Sequence, residues 1–224
     1  FPAAVSAAVT RKPVGALTAL AGVAQLDLQG CRRVTDETLL YLPPSPRRPN
    51  VRGCEFLTQG ASFAHLTALT ALECCRTLVM NRGAVGLPTS LQELDIAGTE
   101  LPAGASLAHL THLRELRANH IRLGAVTLAS LPPSLQVLHV AWCRELAPGA
   151  SFAHLNALHT LDVAHSAIDD VALATLPPSL VSLAACECKK LTCDAVLPPL
   201  PALRRLEVSY SDIGYALVAS LPAA

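Results

Sequence analysis

A block with the pattern apolar-x-x-apolar-x-apolar returns along the chain at nearly constant spacing, and this repetition restricts the fold more than any other feature. Nine copies begin at Val23, Pro46, Leu69, Leu91, Leu113, Leu135, Leu158, Leu180 and Leu203. Successive copies are 22 or 23 residues apart, a regularity that does not arise by chance. Units this short cannot bury an apolar face alone, so they must stack on one another in a row. The sequence therefore predicts an array of equal turns from residue 23 onwards.

Two further strings show that turns of two kinds alternate. LPPSL or a close variant begins at Leu42, Leu87, Leu131 and Leu176, and GASFAHL or GASLAHL begins at Gly60, Gly104 and Gly149. Copies of each string are 44 or 45 residues apart, twice the length of one turn.

Each block is typical of a short strand with one buried face. Apolar residues at block positions 4 and 6, such as Leu138 and Val140, alternate with outward positions 3, 5, 7 and 8. Since all turns run the same way, the strands must pair in parallel. Position 9 carries Cys31, Cys54, Thr77, Thr99, Ile121, Cys143, Ser166, Cys188 and Ser211. We expect these small thiols and hydroxyls to point inwards and bond to loop backbone, a pattern that Ile121 breaks.

The block LQVLHVAWC, from Leu135 to Cys143, resembles the leucine-rich repeat, L-x-x-L-x-L-x-x-N/C. The segment LDLQGCRRVTDETLLYL, from Leu26, resembles the cysteine-containing subclass found in substrate receptors of ubiquitin ligases. The LPPSL string is similar to repeats of bacterial effectors and kinetoplastid proteins. The resemblance implies an α/β fold: a right-handed solenoid with a parallel inner β-sheet and short helices or 3₁₀ turns on the convex side.

The segments between the blocks predict where helices begin and where the sheet is weak. Thr35 and Asp169 are suitable N-caps ahead of apolar residues at helical spacing. The GASFAHL turns are short, and we expect a partly 3₁₀ helical turn there. Pro46 and Pro49 stand where leucines belong, so the second strand should be weak or distorted. We expect one solenoid over residues 1–224 and, since neither end shows a polar capping unit, a continuation in a longer protein.

Charge and cysteine content limit the classes of partner. Seventeen basic and seventeen acidic residues balance, so no net field favours nucleic acid or an anionic membrane. No apolar run reaches the ~18–20 residues of a membrane span. Eight cysteines are too few for a secreted disulfide scaffold of this length. We therefore expect a cytoplasmic protein with reduced thiols, a protein partner, and neither nucleic acid nor membrane as ligand.

Residues that could support metal binding or catalysis are better explained by structure. Cys186 and Cys188 are spaced differently from the usual zinc-binding pair, and Cys188 belongs to position 9. Three histidines recur in the GASFAHL turns, at His65, His109 and His154, which indicates a packing or capping role. His165, Ser166 and Asp162 invite a triad interpretation, but Ser166 should be buried. We expect no enzyme activity, no metal and no cofactor.

Position 8 indicates where a partner would bind. Its first half is mostly glycine, whereas its second half contains His120, Trp142, His165 and Tyr210. Trp, Tyr and Arg most often dominate binding energy. Together with the outward residues of position 5, they predict a binding patch of Arg117, His120, His139, Trp142, Asp162, His165 and Tyr210. The alternative is that Trp142 only covers the sheet by packing on His120 and His165.

The sequence thus favours a non-enzymatic module that binds a protein through its concave face. Two other functions stay open at this point: a structural segment of a larger assembly, and the substrate-recognition arm of a ubiquitin-ligase-like protein, which only the cysteine-type resemblance implies.

Overall fold

The computed structural model describes residues 22–82, 86–102, 104–146 and 149–220, and it contains nine short strands, one per predicted block. The strands are β1 (Gln25–Asp27), β2 (Arg48–Asn50), β3 (Ala71–Glu73), β4 (Glu93–Asp95), β5 (Glu115–Arg117), β6 (Val137–His139), β7 (Thr160–Asp162), β8 (Ser182–Ala184) and β9 (Arg205–Glu207). Every strand occupies block positions 3 to 5. They form one parallel sheet in chain order. The predicted solenoid and its parallel sheet are confirmed.

In-register pairing aligns equivalent residues from turn to turn. Leu94 pairs with Leu116 and Leu116 with Leu138, while Arg117 pairs with His139. Positions 4 and 6 are buried through most of the array, with Leu138 and Val140 wholly inaccessible to solvent. Residues of one block position therefore form a continuous column at the strand spacing of about 4.8 Å.

Strand β2 forms despite Pro49, but its pairing with β3 is reduced. The Arg48 N–H donates to the carbonyl of Ala24, just before β1, and the Val51 N–H donates to Glu73 of β3, so an N–H at residue 49 would point to β3. Proline lacks that donor, and only one residue pair, Asn50 with Glu73, remains in register between β2 and β3. The predicted weakness is thus on one side of the strand. The Arg48 guanidinium reaches over β3 and makes two hydrogen bonds to the Glu93 carboxylate, at 3.0 and 2.7 Å, across this gap.

The position-9 thiols and hydroxyls point into the loop core, as predicted. Four donate to the position-6 carbonyl of the preceding turn: Cys54, Cys143, Cys188 and Ser211, at 3.1, 3.2, 3.2 and 2.8 Å. Thr77 and Thr99 instead donate to the position-6 carbonyl of their own turn, at 2.7 and 2.8 Å. Both arrangements give these buried backbone acceptors a side-chain donor, which for some carbonyls, such as that of Leu28, adds to a backbone N–H.

This hydrogen-bond pattern also explains the exception at Ile121. The carbonyl that Ile121 would have to satisfy belongs to Ile96, and it already accepts from the Thr99 hydroxyl. The position-6 carbonyl of its own turn, on Ala118, accepts from the Cys143 thiol. No donor is needed at residue 121, and the isoleucine side chain is buried in the core.

The opposite side of each turn holds short helices in some turns and irregular backbone in others. The helices are α1 (Asp36–Leu40), α2 (Ala125–Ala129), α3 (Asp170–Leu173) and α4 (Tyr215–Ala219), with one 3₁₀ helix at Val79–Arg82. Thr35 and Asp169 cap α1 and α3 as predicted, by accepting from the N–H groups of Thr38 and Ala172. The GASFAHL turns contain no 3₁₀ helix in their described residues; that expectation is wrong, because these segments pack Phe63 and Phe152 inwards through tight turns.

The first residue of two helices also links neighbouring turns, which the sequence patterns did not reveal. The Asp36 carboxylate accepts from the N–H and hydroxyl of Thr58 in the next turn, at 2.8 and 2.5 Å. Asp170 holds Thr192 in the same way, at 3.0 and 2.6 Å. Within the part of the chain that the structure describes, no helix has the length and apolar character needed to cross a bilayer.

Candidate partner-binding surface

All nine residues at block position 8 have a left-handed backbone conformation. The three glycines Gly30, Gly53 and Gly98 have φ values of 66°, 64° and 65°. The other six positions carry side chains, at Arg76, His120, Trp142, His165, Glu187 and Tyr210, with φ between 52° and 63°. Glycine tolerates this conformation freely, whereas a residue with a Cβ loses about 1 kcal/mol or more. Glycine at this position therefore reflects the left-handed backbone that every turn requires. The side chains in the second half of the column are present although this conformation costs free energy of folding.

Three of these side chains form a continuous stack, here called the ring column: His120, Trp142 and His165. The indole of Trp142 lies 3.8 Å from the His165 ring and 5.6 Å from the His120 ring, centroid to centroid, with interplanar angles of 9° and 11°. The indole is 38% exposed, and the Arg144 guanidinium lies 5.7 Å above it. Because backbone register brings equivalent positions together, the sheet itself aligns these rings.

Two histidines of the predicted patch face carboxylates on the next turn. His139 Nδ1 lies 3.6 Å from Asp162 Oδ2, and His165 Nδ1 lies 3.4 Å from Glu187 Oε2. The adjacent His139 ring lowers the pKa of Asp162, and the Ala164 N–H adds to this, while partial burial opposes it. Asp162 therefore has a structural role as well, since its other oxygen accepts from Ala164 at 3.1 Å.

The predicted patch is only partly contiguous. Five of its residues lie together on three adjacent turns: His120, Trp142, His165, His139 and Asp162. Arg117 pairs with His139 in the strand register, and its guanidinium forms an ion pair with Glu115 of its own strand. Tyr210 is 88% exposed and is separated from the stack by the turn of Glu187.

Sequence patterns did not identify the cationic residues beside the ring column. A cavity of about 410 Å³ opens next to Trp142 and His165, and Arg144, Lys189 and Lys190 contribute to its walls. Arg144 and Lys189 both occupy position 10, two residues beyond position 8, which is Trp142 in one turn and Glu187 in the other. A count of charges over the whole chain conceals such a cluster, because the total is zero.

The geometry gives no support to the triad interpretation. Ser166 is 6% exposed, and its hydroxyl accepts from the Ile168 N–H. Asp162 faces His139, while His165 faces Glu187. The described residues contain no group of three or more His, Cys, Asp or Glu side chains arranged to hold a metal ion.

Within the described residues no cysteine is in a disulfide, and most of the thiols are buried. Burial raises the pKa of Cys54, Cys143 and Cys188 to about 11. Cys75 and Cys186 both occupy block position 7, which the sequence predicts to face outwards. For Cys75 this is wrong: the side chain is 4% exposed, and burial together with the neighbouring Asp95 raises its pKa to about 12. Cys186 is partly exposed, as predicted.

The histidines of the GASFAHL turns, His65, His109 and His154, are half-buried at equivalent positions. In each of them the Nε2 atom is buried and has no hydrogen-bond partner within the described residues. Their predicted packing role stays a prediction.

Comparisons with known proteins identify the fold. No protein-family model matches the chain, and no curated protein matches it. Three solved structures resemble it: an internalin of Listeria monocytogenes (20% identity, TM-score 0.62), Toll in the Drosophila Toll–Spatzle complex (19%, 0.64) and TLR13 bound to ssRNA13 (21%, 0.54). The matches cover 90%, 91% and 88% of this chain but 66%, 32% and 27% of those chains. The chain therefore has the leucine-rich-repeat fold.

Proposed function

We propose that this leucine-rich-repeat solenoid is a non-enzymatic module that binds a protein partner through the outward, concave face of its sheet, with the ring column at the centre. The observation that carries the proposal is the stack of His120, Trp142 and His165 on left-handed backbone, in a column where glycine occupies three of the other six positions. Strained residues that persist in an otherwise regular structure are a reason to suspect function.

The surroundings of Trp142 support this role. A large ring that is held in one orientation by its neighbours loses little conformational entropy on binding, which favours affinity. The nine strands give a face about 40 Å long at the usual strand spacing, enough for an interface of about 800 Å² per partner. Eight cysteines without a disulfide fit a reducing compartment, and the predicted cytoplasmic location remains part of the proposal.

The test compares partner capture by the native chain and two glycine variants. Trp142→Gly removes the central ring while relieving its backbone strain, so loss of folding is not the expected outcome. Arg76→Gly is the matched control, because Arg76 has the same block position and backbone conformation, at φ 54°, but lies two turns before the ring column. Captured proteins are cross-linked and quantified by mass spectrometry. We expect a set of proteins that Arg76→Gly retains and Trp142→Gly loses; equal capture by both would contradict the proposal.

A structural role in a larger assembly is the second candidate. It is favoured by the last turn, where Leu206, Val208 and Ile213 pack against the core but are only partly buried, and where Tyr215 is 85% exposed. In that case, captured partners would depend on Tyr215→Ser and not on Trp142→Gly.

A further inference from the structure

The cavity beside the ring column lies where one residue in a row of cationic side chains is replaced by alanine. Position 10 holds Arg122, Arg144, Ala167 and Lys189 on four successive turns, here called the basic row. The alanine leaves open the space between Arg144 and Lys189, which are two turns, or about 10 Å, apart. The cavity has a volume of about 410 Å³ and is lined by Trp142, Arg144, His165, Ser166, Ala167, Glu187, Lys189 and Lys190. This volume lies within the range of ligand sites.

The cations of this cavity lack ion-pair partners, unlike their neighbours. Arg144, Lys189 and Lys190 make no ion pair within the described ranges, whereas Arg122 lies 3.4 Å from the Glu145 carboxylate. Glu187, the one carboxylate in the cavity wall, faces His165. The three cations and the one carboxylate of the cavity wall leave two positive charges in excess.

The rings of the cavity favour an anionic group over a nucleobase. His120, His165 and the Arg144 guanidinium lie against the faces of the Trp142 indole, so these faces leave little room for a stacked base. The exposed edge of the indole instead offers an apolar wall, and the Arg144 guanidinium above the ring places a cation beside this wall. The carboxylates of Glu187 and Asp162 nearby would also repel a chain of phosphates.

We propose that this cavity binds one oxyanion, a carboxylate or a phosphoryl group, on a side chain of the protein partner. Arg144 and Lys189 hold the oxyanion from two sides, and Trp142 packs against its carbon stem. This inference rests on the proposed function for the identity of the partner, but the anion site itself can be tested with small probes.

The chain carries its own reporter, since Trp142 is its only tryptophan. Tryptophan fluorescence is followed during titration with N-acetyl-aspartate, phosphoserine or inorganic phosphate, at constant ionic strength maintained with chloride. A single-stranded oligothymidylate serves as the nucleic-acid arm. We expect saturable responses to an oxyanion probe and none to chloride, and the tighter of N-acetyl-aspartate and phosphoserine identifies the source of the oxyanion.

Two cavity variants and one control separate a built site from general attraction. Arg144→Gln should weaken binding about tenfold, the effect of losing one charge-assisted hydrogen bond. Ala167→Arg adds a positive charge but fills the gap between Arg144 and Lys189. If the cavity is a defined site, this variant binds the oxyanion more weakly; if anions are held only by general electrostatic attraction, it binds them more tightly. Arg32→Gln removes an exposed cation from the same block position in the first turn and should leave binding unchanged.

The outcomes distinguish this inference from the proposed function. Absence of a saturable response to every oxyanion probe, equal weakening by Arg32→Gln, or stronger binding by Ala167→Arg would overturn the oxyanion site. A tight response to the oligothymidylate alone would assign the cavity to nucleic acid and would also overturn it. If partner capture depends on Trp142 but not on Arg144 or Lys189, the oxyanion site fails while the proposed function stands.

Discussion

Replacement of Gly53 by alanine should destabilise the protein through backbone conformation alone. Gly53 has φ 64°, and a Cβ built at this residue meets no other atom within 4 Å, so no steric clash contributes. Alanine in the left-handed region costs about 1–2 kcal/mol, and the smaller entropy of its unfolded chain returns about 0.4–1 kcal/mol. The expected net loss in the free energy of unfolding is about 1 kcal/mol, or about 2–4 °C in Tm for a chain of this size.

Urea and thermal unfolding followed by circular dichroism measure this loss. Gly124→Ala is the matched control, because a Cβ at Gly124 also meets nothing within 4 Å, but φ is −73° there. We expect that control to stay within about 0.5 kcal/mol of the native protein, since lower unfolded-state entropy and a poorer N-cap oppose each other. If Gly53→Ala and Gly124→Ala had equal stabilities, the backbone explanation of position 8 would be refuted.

Two further predictions concern hydrogen bonds of the loop core and of the binding surface. Cys143→Val should lower the free energy of unfolding by about 1–3 kcal/mol, because the buried Ala118 carbonyl loses its donor. Cys143→Ser keeps a donor and should retain most of the stability. Equal unfolding midpoints for the two variants would contradict this prediction. Asp162 contributes stability that is present above its unfolded-state pKa of about 3.9 and is lost as the pH falls through its lowered folded-state pKa. The native protein should therefore lose its stability advantage over Asp162→Asn below about pH 4. Urea titrations at stepped pH values measure this difference. A difference in unfolding free energy that does not change with pH would show that His139 does not favour the ionised carboxylate.

Repetition makes the fold predictable in unusual detail. All nine strands lie where the block pattern puts them, because a period of 22 or 23 residues leaves one register in which the apolar positions 4 and 6 face the same core. The inward direction of the position-9 thiols follows from the same register. Ile121 could not be explained from the pattern, since the reason for its tolerance is a hydrogen bond made by Thr99 in the preceding turn.

The binding surface was less predictable, because its properties depend on side chains that meet across turns. The sequence shows that position 8 is mostly glycine in the first half of the array and larger in the second half. It does not show the cause of the glycines, which is a left-handed backbone in every turn. The grouping of Arg144 with Lys189 required the knowledge that position 10 lies beside the ring column. Residues two turns apart in space are 45 residues apart in sequence, so local charge counts separate them.

The strained column also explains why this surface can differ between turns without altering the fold. Position 8 follows the strand and points to solvent, so its side chain contributes little to the core. Its backbone conformation is imposed by the strand before it and by the hydrogen bonds of the position-9 residue after it. Glycine and tryptophan at this position therefore leave the same solenoid, with a difference in stability of the order of 1 kcal/mol. The sheet fixes where each column lies, and the residues placed in that column can change at low energetic cost. A binding surface can be assembled in this way on adjacent turns, while three of the four earlier turns keep glycine.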